Sequence, residues 1–240
     1  MLKLIPHIRK IVLLFSTLIA VFVFAYFGQG HEQAFANYRY AQFFALLAFA
    51  FLFLSLLPTP LYVAFPRFPL RALFVKARRA IGVSAFFFAL LHVYFGLFKS
   101  LGGLKVLLQL SGKYQLATSM GIVSLIILAM LAATSFSYMV KKLGQRWKQL
   151  HRFIYAVALM IPIHALILGS HFNDHDSLLA KSLIFAWLLL LMLEEIRVYK
   201  YLTEKFTNFP RIIFSAVLII LFVATFYLLL LTNLFSNYAH

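Results

Sequence analysis

The chain has 240 residues, of which 64% are hydrophobic and only 12% are charged. This composition excludes a soluble domain with an ordinary polar surface, so we predict an integral membrane protein surrounded by the lipid bilayer. The formal net charge of +16 does not indicate a nucleic-acid partner, because the basic residues are spread over several connections and form no single face or tail.

Seven apolar stretches, each close to the length needed to cross a membrane, follow one another along the chain. They cover about residues 11–27, 40–57, 80–98, 116–139, 152–170, 178–196 and 212–235. The remaining connections have at most about 20 residues, too few for a flavin- or nucleotide-binding domain. The predicted fold is an all-α integral membrane protein, a single domain over residues 1–240 built as a bundle of about seven transmembrane helices.

Lysine and arginine residues are concentrated on one side of these spans. The N-terminus and the second, fourth and sixth connections hold 17 of them, and the opposite side holds five. By the positive-inside rule the N-terminus is cytoplasmic and, with seven spans, the C-terminus is periplasmic. Anionic lipid headgroups on the inner side account for most of this charge.

Proline and glycine residues fall where connections between helices are expected. The second and third connections contain Pro58, Pro60, Pro66, Pro69, Gly102, Gly103 and Gly112. The segment Leu104–Leu110 is too short to span, and we predict a turn on the outer surface. The seventh stretch has no buried ionisable residue, which indicates a packing or docking element.

Two histidines lie inside predicted spans, where ionisable side chains are costly and usually functional. His92 follows Arg79 by 13 residues in the third span, and His164 follows Arg152 by 12 in the fifth. Both spans run outwards, so both histidines lie roughly 18–20 Å from the inner end. The chain has no cysteine, which excludes thiolate metal ligands and covalently attached haem. Two neutral imidazoles at one depth predict one haem held between helices three and five, with Gly82 and Gly96 providing space.

A third histidine, His151, begins the fifth span at the inner surface and is a candidate ligand of a second, inner haem. Arg79, at matching depth, coordinates iron poorly but suits a haem propionate or a flavin phosphate. On a straight helix His151 and His164 point about 140° apart, unless Pro162 changes that angle. His7 is the other histidine near the inner level. The number of haems, one or two, therefore stays open.

The segment His171–Asp176 after the fifth span has two interpretations. His171 and His175 could bind an external iron or copper ion, or the segment is a solvated loop with helix-capping aspartates.

Two segments resemble the ferric-reductase-like transmembrane family. The first is Arg78-Arg79-Ala80-Ile81-Gly82 leading to Leu91-His92-Val93-Tyr94, and the second is Gly144-Gln145-Arg146-Trp147-Lys148-Gln149-Leu150-His151 leading to Tyr155, Pro162, Ile163 and His164. Within the family the chain is similar to the MsrQ (YedZ) type, the haem-binding membrane subunit of the periplasmic methionine sulfoxide reductase system. The resemblance covers about residues 58–170 and leaves the helix at about 212–235 as an addition to the usual six.

The resemblance implies a function, cofactors and partners. His92, His151 and His164 are the haem-associated histidines, with Arg78, Arg79 and Arg146 of the same segments as further cofactor-binding candidates. Haem b, one or two per chain, passes electrons from a cytoplasmic flavin reductase to a periplasmic acceptor such as a methionine sulfoxide reductase, and FMN is a further expected cofactor. The protein is then an electron-transfer component of the bacterial inner membrane and not a stand-alone enzyme.

Two alternatives remain from the sequence. One is reduction of ferric or cupric ions at the outer face, through His171 and His175. The other is a non-redox role, as a proton or ion pathway through His92 and His164 or as a membrane assembly subunit. Few Ser, Asn or Asp residues accompany these histidines in helices three and five, which counts against a polar pathway.

Overall fold

The computed structural model describes residues 7–29, 32–169 and 178–205, together with Ile220 and Val223. The regular elements in these ranges are all helical, which confirms the predicted helical class. In chain order they are α1 (Ile8–Phe27), α2 (Gln33–Leu56), α3 (Pro58–Ala64), α4 (Arg71–Val93), a π-helical segment (Tyr94–Ser100), a 3₁₀ turn (Leu104–Leu108), α5 (Gly112–Ala133), α6 (Ser137–Leu143), α7 (Gln145–His151), α8 (Ile154–Leu168) and α9 (Leu178–Lys205).

Five helical segments of the described chain are long and apolar enough to cross a membrane. They are Ile8–Phe27, Gln33–Leu56, Arg71–Ser100, Gly112–Ala133 and Gln145–Leu168, which correspond to the first five predicted spans. Helix α9 is continuous over 28 residues, but Lys181, Glu194 and Glu195 interrupt its apolar run, so its crossing remains a prediction. The seventh predicted stretch, at 212–235, lies outside the described residues apart from two positions.

Two breaks separate helices near the fourth and fifth predicted spans. Within the fourth span, α5 ends at Ala133 and α6 follows separately, while α7, which precedes the fifth span of about 152–170, is separated from α8. At this second break Arg152 N–H and Phe153 N–H donate to carbonyls three residues back, each at 3.1 Å, which is the tighter 3₁₀ pattern. The straight-helix angle of about 140° between His151 and His164 therefore does not apply to this chain.

Pro58 and Pro60 begin a helix and do not lie in a loop. Both belong to the first turn of α3, and both are buried. Proline is tolerated there because the first N–H groups of a helix have no partner within it. The expectation that prolines fill the second connection holds only for Pro66 and Pro69, which lie in the turns that follow α3.

A π-helical segment continues α4 from Tyr94, two residues after His92. Its wider hydrogen bonding includes Leu101 N–H donating to the Gly96 carbonyl, five residues back, at 3.0 Å. Turns of this kind are rare and are often found at functional sites. The segment ends at Gly102 and Gly103, whose φ angles of 83° and 101° suit glycine. The 3₁₀ turn that follows, Leu104–Leu108, confirms that this segment is a short turn, and its place at the outer surface stays a prediction.

The chain divides into two compact units, each described by itself. The first holds Ala72–Leu168 with the described residues up to Ser55, and in it α5 packs along α8. Phe44 of α2 and Phe88 of α4 are completely buried in this unit, with ring centroids 6.2 Å apart. The histidines predicted to bind haem all lie in this first unit.

The second unit combines Leu56–Arg71 with α9. Here α3 packs against α9, and Lys200 Nζ donates a hydrogen bond of 2.7 Å to the Val63 carbonyl. Tyr62 donates to the Pro69 carbonyl at 3.0 Å, which closes the turn after α3. We find no predicted cofactor-binding residue among these side chains.

Candidate functional site

The imidazole rings of His92 and His164 lie next to each other. His92 is in the last turn of α4 and His164 is near the end of α8, and their ring centroids are 6.3 Å apart with planes at 83°. The two residues are 72 positions apart in sequence, and matched depth was the argument for pairing them. The structure brings these two predicted site residues together.

Each of these rings is held by a backbone carbonyl from another helix. His92 Nδ1 lies 2.9 Å from the Ala41 oxygen of α2, and His164 Nδ1 lies 2.8 Å from the Ala117 oxygen of α5. A carbonyl only accepts, so each Nδ1 carries the proton and donates it. In the neutral ring Nε2 then keeps its lone pair, so in both histidines Nε2 is the nitrogen that can bind a metal.

The residues present fit a haem iron with two histidine ligands. An imidazole nitrogen binds a metal at about 2 Å, so two rings on opposite sides of one ion have centres about 6 Å apart. The observed 6.3 Å agrees with that separation. Two neutral imidazoles are also a donor set that suits haem iron, and a carbonyl behind each ligand is the usual supporting contact.

Gly121 of α5, which the sequence interpretation missed, lies closer to a histidine ring than the other glycines described at the site. A Cβ atom there would lie 2.6 Å from His164 Cε1 and 2.7 Å from its Nδ1. Gly96, one of the two expected glycines, does face His92, with 3.9 Å from such a Cβ to His92 Cε1. Gly82, the other, faces Ser55 and so does not make space at either histidine. The sequence signal that could have identified Gly121 is a glycine in the middle of a span, at the depth of His164.

His151 belongs to a separate cluster at the C-terminal end of α7. Its Nε2 lies 3.2 Å from Thr134 Oγ1, and the Trp147 ring stacks on it with centroids 4.0 Å apart. Thr134 gives its only hydroxyl proton to the Met130 carbonyl at 2.8 Å, so its oxygen accepts from His151 Nε2. Trp147 Nε1 in turn donates to the Thr134 carbonyl at 2.9 Å. In this arrangement Nε2 is occupied by a hydrogen bond, so the geometry does not fit an inner haem iron bound to that atom.

Replacing Thr134 with valine removes the acceptor for His151 Nε2–H while keeping the shape of the side chain. We expect the free energy of unfolding to fall by about 1 kcal/mol, because a part-buried donor loses its partner. Reversible unfolding in mixed micelles measures this change. Thr118→Val is the matched control, since that exposed hydroxyl bonds only to its own helix, at Tyr114. Equal losses in the two variants would contradict the assigned hydrogen bond.

The three arginines predicted to bind a cofactor, Arg78, Arg79 and Arg146, differ in burial and in hydrogen-bond partners. Arg78 Nε donates to the Ser55 carbonyl at 2.8 Å. Arg79 Nη1 is buried and has no hydrogen-bond partner among the described residues, which suits an anionic group. Arg146, on α7, is exposed, and so is His7 at the start of α1. Of these side chains, Arg79 alone has a buried donor without an acceptor in the described part of the chain.

His171 and His175 lie outside the described residues, so the external metal site stays a prediction. Over the ranges that the structure describes, no group of three or more His, Cys, Asp or Glu side chains is arranged to hold a metal ion.

Residues 41–162 match the family described as ferric reductase like transmembrane component. The chain belongs to this family. The match runs from Ala41, whose carbonyl holds His92, to Pro162, two residues before His164. It begins 17 residues before the core of 58–170 that the motifs indicated, and the predicted family membership is confirmed.

Two curated relatives resemble the chain over 123 residues. One from Pectobacterium atrosepticum is 38% identical and one from Pectobacterium carotovorum subsp. carotovorum is 37% identical. Both are named protein-methionine-sulfoxide reductase heme-binding subunit MsrQ. The matched part is 50% of this chain and 59% of each relative, so the chain spans little more than half the length of these relatives.

Proposed function

We propose that this protein transfers electrons across the bacterial inner membrane through a b-type haem held between α4 and α8. The observation that supports it most is the His92–His164 pair, whose centroid distance of 6.3 Å suits one shared iron. Family membership supports a transmembrane redox role, and the relatives' names support haem as the cofactor.

The chain's own residues bind and orient the cofactor in this proposal. His92 and His164 offer Nε2 to the iron, while the carbonyls of Ala41 and Ala117 hold the Nδ1 protons. These hydrogen bonds fix the tautomer and the ring direction, and they strengthen each imidazole as a donor. When bound, haem supplies a one-electron carrier inside the bilayer.

Electrons enter in this proposal from a cytoplasmic flavin reductase at the inner ends of α4 and α7. Residues 33–173 contain no Asp or Glu, so the connections of this region carry only basic charges of their own and suit an acidic donor surface. Arg79 Nη1, which is buried and has no hydrogen-bond partner in the described part of the chain, suits a propionate of the haem or the phosphate of FMN. In this proposal the cluster of His151, Trp147 and Thr134 lies on the same cytoplasmic side.

Electrons leave, in the same proposal, to a periplasmic redox partner such as a methionine sulfoxide reductase. The printed name of both relatives supports this partner. The protein then works as an electron-transfer component and not as a stand-alone enzyme.

Electron transfer through the membrane tests this function directly. Liposomes that enclose oxidised cytochrome c receive NADH, FMN and flavin reductase on the outside. We expect the enclosed cytochrome c to be reduced when the haem-loaded protein is in the bilayer. The matched control is the His92→Ala/His164→Ala double variant, reconstituted to the same amount. Equal rates with both proteins would contradict the proposal.

A further inference from the structure

Gly121 faces the ring of His164 so closely that no other residue type fits without moving it. A Cβ atom at this position would lie 2.6 Å from Cε1, 2.7 Å from Nδ1 and 3.4 Å from Nε2 of that ring. Contacts under 3.0 Å require one of the two groups to move. The His164 ring is hydrogen-bonded to the Ala117 carbonyl of α5, so it cannot rotate away without losing that bond. The glycine therefore sets where this imidazole can lie.

The position of Gly121 on α5 explains why this ring reaches a carbonyl that a helix normally shields. His164 donates to the oxygen of Ala117, which lies four residues before Gly121, one helical turn back. Side chains of a helix lean towards its N-terminus, so a side chain at i+4 covers the carbonyl of residue i. With glycine at i+4 the Ala117 oxygen is open to a second donor.

Small residues also lie beside the carbonyl that accepts the hydrogen bond from His92. His92 donates to the Ala41 oxygen, and the residue four positions on is Ala45, the smallest side chain after glycine. Gly96 lies against the same place, since a Cβ there would be 3.7 Å from Ala41 Cβ and 3.9 Å from His92 Cε1. Small residues thus lie beside both carbonyl acceptors, and the contact at Gly121 is the tighter.

We propose that Gly121 is a positioning residue: it keeps the Ala117 carbonyl open to His164 Nδ1–H and so directs His164 Nε2 towards the iron. The second half of this statement rests on the proposed haem site. The first half concerns only this chain's own side chains, and it can be tested without haem.

A double-mutant cycle on haem-free protein tests the contact itself. Gly121→Ala should lower the melting temperature by at least about 2–4 °C when His164 is present, although alanine is the better helix former. In a His164→Ala background the same substitution should cost nothing, because the ring it meets is gone. Gly112→Ala, on the same helix with open space around it, is the control and should not lower the melting temperature.

The cycle gives an answer even if Gly121→Ala cannot be purified alone. Recovery of the protein when His164→Ala is added supports the proposal, since removing the ring relieves the clash. Equal losses from Gly121→Ala in the two backgrounds, or failure to fold in both, would overturn it.

Haem-loaded protein then tests the positioning role. We expect Gly121→Ala to weaken the His164 bond to iron, so that the low-spin spectrum of the wild type gains a high-spin fraction and haem content falls about 10-fold or more. Gly112→Ala should keep the wild-type spectrum. An unchanged spectrum and haem content in Gly121→Ala would overturn the positioning role, whereas a wild type that takes up no haem would overturn the proposed function and leave the cycle to decide the contact.

Discussion

Replacing either His92 or His164 with alanine should remove the six-coordinate haem. In the proposed site each ring would supply one nitrogen ligand to the iron, and substitutions of residues that only support a ligand already change metal affinity about 10–100-fold. Loss of a ligand itself should therefore lower haem affinity by more than about 100-fold. Absorbance titration with haemin and pyridine haemochrome assay of the purified variants measure this loss.

His7→Ala is the matched control for these two variants. It removes a histidine that is exposed at the start of α1, so its haem content and spectrum should equal those of the wild type. If His92→Ala and His164→Ala both keep a full complement of low-spin haem, the two histidines are not the ligands.

Phe88→Ala should cause the largest loss of stability in the first unit. This side chain is 0% exposed, lies one helical turn before His92, and packs against Phe44 and Phe51 with centroids 6.2 and 5.1 Å away. Truncation leaves a cavity that the surrounding rings cannot fill, so we expect a loss of about 3 kcal/mol in the free energy of unfolding. Unfolding in mixed micelles, followed by circular dichroism, measures it.

Phe98→Ala provides the comparison, because this ring is 50% exposed. We expect it to change the free energy of unfolding by less than about 0.5 kcal/mol. A loss at Phe88 no larger than the loss at Phe98 would show that the packing described around α4 is wrong.

Much of the fold and the central pair followed from the sequence alone. Apolar length predicted the first five spans because the bilayer fixes how many residues a helix needs. Counting residues from Arg79 and Arg152 placed His92 and His164 at one depth because the rise per residue of a helix is nearly constant. Direction and depth were therefore enough to pair two residues 72 positions apart.

The contacts that orient the histidines did not follow from the sequence. The acceptors for His92 and His164 are backbone oxygens of Ala41 and Ala117, and a backbone oxygen has no sequence signature. Gly121 was overlooked because its role depends on which helix packs against α8, and apolar pattern does not determine helix neighbours. Gly82 was chosen instead for its nearness to His92 along the chain, whereas the structure turns it towards Ser55.

The local breaks in the helices also escaped the sequence interpretation. No glycine or proline between Gln145 and Met160 signals a break, yet the hydrogen bonds at Arg152 and Phe153 tighten to the 3₁₀ pattern and separate α7 from α8. This break changes the direction of His151, whose Nε2 bonds to Thr134. A straight-helix calculation could not include this break. The sequence therefore predicted the approximate depth of His151 but not its hydrogen-bond partner.

The number of haems per chain, with its spectrum, is the most direct test of the central claim. Wild-type protein expressed with added haem precursor should show a Soret band, a pyridine haemochrome typical of haem b, and a low-spin electron paramagnetic resonance signal from two histidine ligands. Loss of that signal in His92→Ala and in His164→Ala would then assign it to this pair. Purified wild type that carries no haem, or whose haem signal is unaffected by both substitutions, would contradict the account.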